Sequence, residues 1–172
     1  MGTSIAEAAL SDHDLLDVVT QVWRTHLGHD APDPLPAVPP PSTSWTISAV
    51  VGITGAWQGH LRIDCGPGAA AGIADLVLDH PTSDRRDNDL ADAVGRLAAI
   101  VTGHITALLP APTSLCLPVV TTGGMERLRL PGCHDTNNAL VAWKHETVQV
   151  RLLQAEPHEN KIVHLPARPA PR

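Results

Sequence analysis

Apolar residues recur at every third or fourth position over residues 85–109, the longest stretch of the chain with an unbroken helical period. The apolar stripe of this segment consists of Leu90, Val94, Leu97, Val101, Ile105 and Leu108. Because residues three and four apart share one face of a helix, the pattern predicts an amphipathic helix that Pro110 terminates. The outer stripe, which such a helix presents to a partner, contains Asp89, Asp92, Arg96, Ala99 and Gly103.

Two shorter segments also carry helical patterns. Residues 12–27 have a clear apolar side, with Ser11 as a suitable N-cap and Gly28 as a suitable stop. An alanine-rich segment after Gly66 predicts a short helix that starts at Pro67 and ends before Pro81. The chain therefore contains three predicted helices, of which the one over 85–109 is the longest.

Runs rich in β-branched residues predict the strands of the first half. Residues 45–55 and 57–66 form a predicted hairpin whose two strands meet at Gly55-Ala56. Residues 113–124 read as one strand with Pro118 at its middle. Because proline cannot donate a backbone hydrogen bond, this strand belongs at a sheet edge or a bulge.

Further strands are predicted near the end of the chain. Residues 125–131 alternate in polarity, and residues 138–147 and 148–156 predict a final hairpin that turns around Glu146-Thr147. The element order is then α-β-β-α-α-β-β-β-β. This order favours an α+β fold with long helices packed on one face of a mostly antiparallel sheet.

The domain organisation follows from chain length and proline content. Residues 1–156 are long enough for one domain with a sizeable core, whereas residues 1–28 are too few to fold alone. The proline-rich segment 29–44 therefore reads as an extended linker inside that domain. Residues 157–172 form a proline-rich tail that we expect to be flexible.

Composition narrows the classes of partner. A formal charge of −6 without a local Lys and Arg cluster gives no attraction to nucleic acid or to an anionic membrane. Phe and Tyr are absent, so no set of aromatic rings is available to stack nucleotides. The odd number of cysteines, none in a CxxC spacing, together with the lack of a signal peptide or an 18-residue apolar run, predicts a soluble cytoplasmic protein.

The candidate metal ligands and nucleophiles form no convincing site. His26 and His29 have an HxxH spacing, but Gly28 breaks the helix between them, and Cys133 and His134 are simply adjacent. No G-x-S-x-G segment is present, and the glycines around Pro67 lack the lysine of a phosphate-binding loop. We therefore predict neither a metal nor a cofactor.

Three segments, taken with the order of elements, resemble the CheX family of chemotaxis phosphatases, related to CheC and to the phosphatase domain of FliY. They are residues 47–65 with their V-G-x-x-G-x-x-x-G run, residues 92–109 and residues 114–124. The resemblance in topology spans residues 11–156. It implies an α+β fold, a homodimer, and a partner that is the receiver domain of a CheY-type response regulator, whose aspartyl phosphate the family removes.

The family's catalytic pattern, E-x-x-N, is not kept. When the family pattern is aligned on Gly95 and Gly103, its acid position falls on Arg96 and its amide position on Ala99. The resemblance implies that the amide orients the attacking water and that the acid holds a lysine of the receiver. Ala99 has no polar side-chain atom, and Arg96 would repel that lysine.

Nearby residues offer only weak substitutes. Asp92 lies four residues before Arg96, so we expect an exposed ion pair between them, worth ~0.3–0.5 kcal/mol. His104 has the chemistry of a general base, but a lone histidine is more often structural. These alternatives leave the outer stripe without the two groups that the reaction needs.

The leading hypothesis is therefore a catalytically degenerate CheX-like protein, a pseudo-phosphatase that acts through protein-protein contact in two-component or chemotaxis-type signalling. Its partner would be a receiver domain or another signalling protein, bound at the outer stripe. One alternative is an active aspartyl-phosphate phosphatase that uses displaced acids such as Asp89 or Asp92. Another is a purely structural module that forms homodimers by joining sheet edges.

Overall fold

The computed structural model describes residues 10–28, 32–35, 45–78, 87–123 and 129–157. Three helices lie in these ranges: α1 Asp12–His26, α2 Pro67–Val77 and α3 Asp87–Thr106. The strands are β1 Asp33–Pro34, β2 Ile47–Gly55, β3 Gly59–Cys65, β4 Thr113–Leu115, β5 Val119–Thr122, β6 Cys133–Trp143 and β7 Glu146–Ala155.

The strands form one seven-stranded sheet in the order β1-β6-β7-β3-β2-β4, and β5 also pairs with β2. Every strand pair is antiparallel. The α+β prediction and the order of elements are thus confirmed. One short strand is added, because Asp33 and Pro34 of the proline-rich segment pair with β6 at the sheet edge.

Helix α1 begins with the N-cap that the sequence predicts. The Ser11 side chain accepts a hydrogen bond from the Asp14 amide, and the Asp14 carboxylate accepts one from the Ser11 amide at 2.8 Å. This reciprocal capping box satisfies amide groups that have no partner inside the helix. The hydrogen bonds from Ser11 lower the pKa of the Asp14 carboxyl.

The helices cover one face of the sheet. Alternate residues of the central strands point towards them, since side chains of a strand alternate between faces. The buried core combines apolar residues of all three helices with these strand residues: Ala49, Val51, Ile53, Leu61, Ile63, Val141, Val148, Val150 and Leu152. Helix α3 packs mainly on α2 and β2, while α1 packs on β6 and on α3. The apolar side of α3 is therefore fixed against the sheet, which leaves its outer stripe facing outwards.

The opposite face of the sheet carries a buried charge cluster. Asp64 is 0% exposed and accepts hydrogen bonds from Arg62 Nε at 2.8 Å and from Arg151 at 3.0 Å. Its carboxylate also accepts a hydrogen bond from the Ser48 hydroxyl. Arg151 reaches the half-exposed Asp135 at 3.4 Å as well. Burial of such charges is costly unless they are paired, so this cluster depends on the pairing of its buried members, Arg62, Asp64 and Arg151.

The strand predicted over 113–124 is divided into two. β2 pairs with β4 through Ile53 and Leu115, and it pairs with β5 through Val50 and Val119. Two residues of β2 therefore lie opposite three residues of the edge, 116–118, which is a one-residue bulge. The proline at the middle of the predicted strand lies in this bulge, as its missing amide hydrogen requires.

Two finer predictions are wrong. The final hairpin turns at Lys144 and His145, not around Glu146-Thr147, because these two residues adopt positive φ angles of 49° and 65°. The helical period predicts Leu108 on the apolar stripe, but α3 ends at Thr106 and Leu108 is exposed. Leu109 takes the buried position after the helix instead.

Several sequence predictions fall outside the described residues. They concern most of the linker (29–31 and 36–44), most of the strand expected over 125–131, the first two residues of the segment 85–109, and residues 158–172 of the tail. Within the described ranges, no helix is both long and apolar enough to cross a membrane.

Candidate functional site on helix α3

The outer stripe of α3 lies at the surface of the protein. Asp92, Arg96 and Gly103 are exposed, while Asp89 and Ala99 are half-buried. A Cβ atom built on Gly103 would meet no atom within 4 Å, so the surface around it is open. The residues that the sequence places on one stripe are therefore together in the structure.

The flank of this stripe lies directly against the sheet edge. A Cβ atom built on Gly95 would be 3.0 Å from Val120 Cγ2 and 3.7 Å from Pro118 Cβ. The missing side chain of Gly95 thus allows α3 to approach β5 closely. As a result, the outer stripe of α3 and the β4-β5 edge form neighbouring parts of one surface.

Arg96 and Ala99, onto which the sequence alignment places the acid and the amide of the family pattern, both lie at this surface. Arg96 is exposed, and within the described part of the chain it makes no ion pair with Asp92. The predicted ion pair is therefore wrong. An exposed pair of this kind gains too little energy to hold a long arginine side chain in one conformation.

The neighbouring acids lie too far along the helix to replace the missing groups at Ala99. A rise of about 1.5 Å per residue places Asp92 roughly 10 Å from Ala99 along the helix axis. Asp89 lies one turn further away and is already engaged in another interaction. No carboxylate or amide of α3 is thus within hydrogen-bond reach of a water held over Ala99.

His104 does not point to the outer stripe. Its ring packs edge-to-face on the ring of His26 at the end of α1, with centroids 6.3 Å apart. This contact joins α1 and α3 on the side of α3 away from Gly95. The structure therefore gives His104 an interhelical packing contact and no position beside Ala99.

The cysteines and the remaining histidines form no metal cluster of three or more potential ligands among the described residues. Burial raises the pKa of the Cys65 thiol to about 12, so this thiol is protonated and unreactive at neutral pH. Cys133 lies 3.6 Å from His60 Nδ1, and burial lowers the pKa of His60. The side chains of Cys133 and His60 lie on the sheet face opposite α3.

Two surface hollows are also remote from the stripe. One, of about 300 Å³, lies between α1 and β6 beside Leu16 and Leu140. The other, of about 450 Å³, lies at the turn of the first hairpin beside Trp57 and Gln154. Neither of these two hollows is lined by residues of α3.

Sequence reasoning missed the contribution of the β4-β5 edge to this surface. Leu115, Leu117 and Val119 are exposed there, next to the elements that contact Gly95. A sequence signal existed, since Pro118 indicates an interrupted edge strand and a glycine inside a helix, such as Gly95, indicates close packing of a neighbouring element. Only the fold shows that these two signals refer to the same contact.

Comparison with known proteins agrees with the fold and with the resemblance seen in the sequence. The model of the family described as chemotaxis phosphatase CheX matches residues 47–140. That range includes the first hairpin, α2, α3 and the β4-β5 edge. No curated protein matches the chain significantly.

Several solved structures are similar to the chain over most of its length. The chemotaxis protein CheX from Vibrio vulnificus has a TM-score of 0.67 at 19% identity, covering 87% of this chain and 98% of that one. A CheX-CheY-BeF₃-Mg²⁺ complex from Borrelia burgdorferi has a TM-score of 0.63 at 17% identity, covering 81% and 95%. CheX from Desulfovibrio desulfuricans has a TM-score of 0.60 at 21% identity, covering 81% and 96%. At these identities the similarity establishes the fold.

Proposed function

The chain belongs to the family of the chemotaxis phosphatase CheX, and we propose that it is a catalytically degenerate member that acts by binding a response-regulator receiver domain. In this proposal the protein works in two-component or chemotaxis-type signalling without hydrolysing the aspartyl phosphate of its partner. The outer stripe of α3, formed by Asp89, Asp92, Arg96, Ala99 and Gly103, is the proposed docking surface.

One observation carries this proposal. The centre of an accessible helix stripe is occupied by Arg96 and Ala99, and neither can act as the acid or the amide of the family pattern. The stripe keeps the exposure that partner binding requires. A CheX structure in complex with CheY supports a receiver as the class of partner. Scaffold and accessibility are retained while the reactive groups are absent, which favours binding without turnover.

Arg96 is expected to contribute directly to partner binding. Its guanidinium is exposed and unpaired within the described residues, so it can pair with a carboxylate or phosphate of the receiver. Arg96→Ala should raise the Kd for a BeF₃-activated receiver about tenfold, as measured by isothermal titration calorimetry at low salt. Arg24→Ala, which removes an exposed arginine from α1, is the matched control and should leave the Kd unchanged. An unchanged Kd for Arg96→Ala would remove this residue from the interface.

The test of the whole proposal is the decay of a receiver phosphate. Each receiver of the source genome is phosphorylated, mixed with the protein, and followed for loss of phosphate and for complex formation. Binding without faster decay supports the proposal. Faster decay that is lost in Asp92→Ala would instead establish the alternative of an active phosphatase with displaced acids.

The structural-module alternative predicts a different result. A protein that only forms homodimers by joining sheet edges would bind no receiver, phosphorylated or not, while sedimenting as a dimer. Sedimentation velocity with and without each activated receiver therefore separates this alternative from the proposal. Absence of every receiver complex would overturn the proposed function.

A further inference from the structure

The described part of the chain exposes five large hydrophobic side chains, and three of them lie on the β4-β5 edge. Leu115 is 43% exposed, Leu117 is 88% exposed and Val119 is 59% exposed. The other two are Leu76 on α2 and Leu108 after α3. Val119 pairs with Val50 and therefore points to the sheet face away from α3. Single exposed apolar residues are common, but Leu115 and Leu117, two positions apart on this edge, indicate an interaction surface.

This edge adjoins the charged stripe of α3. Pro118 and Val120 lie against Gly95, and Arg96 is the next residue along the helix. Leu115 pairs with Ile53 of the core, so its side chain points to the sheet face that carries α3. The residues of the edge from 115 to 120 carry no charge, whereas the adjoining stripe contains both acidic and basic groups. An apolar centre with a charged margin is the usual composition of a protein-protein interface.

The shape of the edge selects the mode of binding. A partner that adds a strand needs a straight row of free amide and carbonyl groups. Here β4 and β5 have only three and four residues, and the bulge with Pro118 separates them. Because the bulge interrupts the row, strand addition at this edge is disfavoured. Binding through the side chains, above all Leu117, is the remaining mode.

We propose that Leu115 and Leu117 form the apolar half of the docking surface for the receiver domain, with the α3 stripe as its charged half. This inference rests on the proposed function, because the occupant is the same receiver. It follows from the continuity of the edge with the stripe through the Gly95 contact. The receiver should therefore present an apolar patch beside the groups that meet Arg96.

The test compares substitutions of exposed leucines on the β4-β5 edge and on α2. Leu115→Ser/Leu117→Ser should raise the Kd for a BeF₃-activated receiver by at least about tenfold, since two leucine side chains would no longer be buried against the partner. Leu76→Ser is the matched control, because Leu76 is also 43% exposed but lies on α2, and its Kd should equal that of the wild type. Thermal unfolding of each variant reports whether the fold is kept. If the double variant is unstable, the Kd is measured with Leu117→Ser alone.

Each outcome decides between the two proposals. If the wild type binds no receiver, the proposed function fails, and this inference fails with it. If the wild type binds and Arg96→Ala weakens binding while the leucine variants do not, only the apolar half is wrong. If the leucine variants change self-association in sedimentation but not the receiver Kd, the edge contacts a second copy and the inference is overturned.

Discussion

Asp64→Asn is expected to lower the free energy of unfolding by about 3–5 kcal/mol, the cost of leaving buried charges without their partner. Asp64 is fully buried, and its carboxylate pairs with both Arg62 and Arg151. Without the negative charge of Asp64, two largely buried guanidinium groups lose the carboxylate that they share, and Arg151 keeps only the half-exposed Asp135. Urea unfolding at pH 7, followed by circular dichroism, measures the change.

Asp135→Asn is the matched control for this prediction. The Asp135 side chain is 52% exposed and meets Arg151 at 3.4 Å, so water screens the pair. Its loss should cost less than about 1 kcal/mol. If the two variants lowered the free energy of unfolding equally, burial would not determine how much each carboxylate contributes to stability.

Restoring the family pattern on α3 is expected to produce phosphatase activity. In Arg96→Glu/Ala99→Asn, an acid and an amide are placed one turn apart on the exposed stripe. The loss of Arg96 is expected to weaken receiver binding, so the decay is measured at a saturating concentration of the variant. In the complex, the amide can orient a water and the acid can hold a lysine of the partner. We expect the receiver phosphate to decay at least about tenfold faster than with the wild type, because water positioning contributes strongly to such reactions.

The single variants provide the controls for this experiment. Ala99→Asn alone provides no acid to hold the lysine of the receiver, and Arg96→Glu alone provides no amide for the water. Each should therefore show less acceleration than the double variant, with decay measured from ³²P-labelled receiver. A double variant that binds the receiver and gives the wild-type decay rate would show that these positions do not correspond to the catalytic pair.

The helices could be predicted from sequence because their signals are local. The capping box of Ser11 and Asp14 and the apolar period of α3 act within a few residues, and both are present in the structure. The edge position of the strand around Pro118 was predictable for the same reason, since a missing amide hydrogen excludes a central strand. The division of that strand by a bulge depends on the register with β2, which no local pattern contains.

The sequence predicts which residues of α3 share one stripe, but it does not predict the surface that this stripe forms with the β4-β5 edge. The period of α3 places Asp92, Arg96 and Gly103 together, but it cannot show which element flanks them. The hairpin turn at Lys144 and His145 was missed because neither residue is one of the glycines or asparagines that usually adopt positive φ. The Asp92 ion pair was overestimated, since correct spacing on a helix does not supply enough energy to order exposed side chains.

The charge cluster on the sheet also affects how the strands find their partners. Side chains of a strand alternate between faces, so a slip of β3 by one residue would carry Arg62 and Asp64 into the aliphatic core. The same slip would turn Leu61 and Ile63 away from the helices. A one-residue slip thus separates Asp64 from Arg151 and exposes core residues at the same time. We infer that the cluster disfavours one-residue slips of β3 during folding, and so helps to fix the position of the edge strands against which α3 is set.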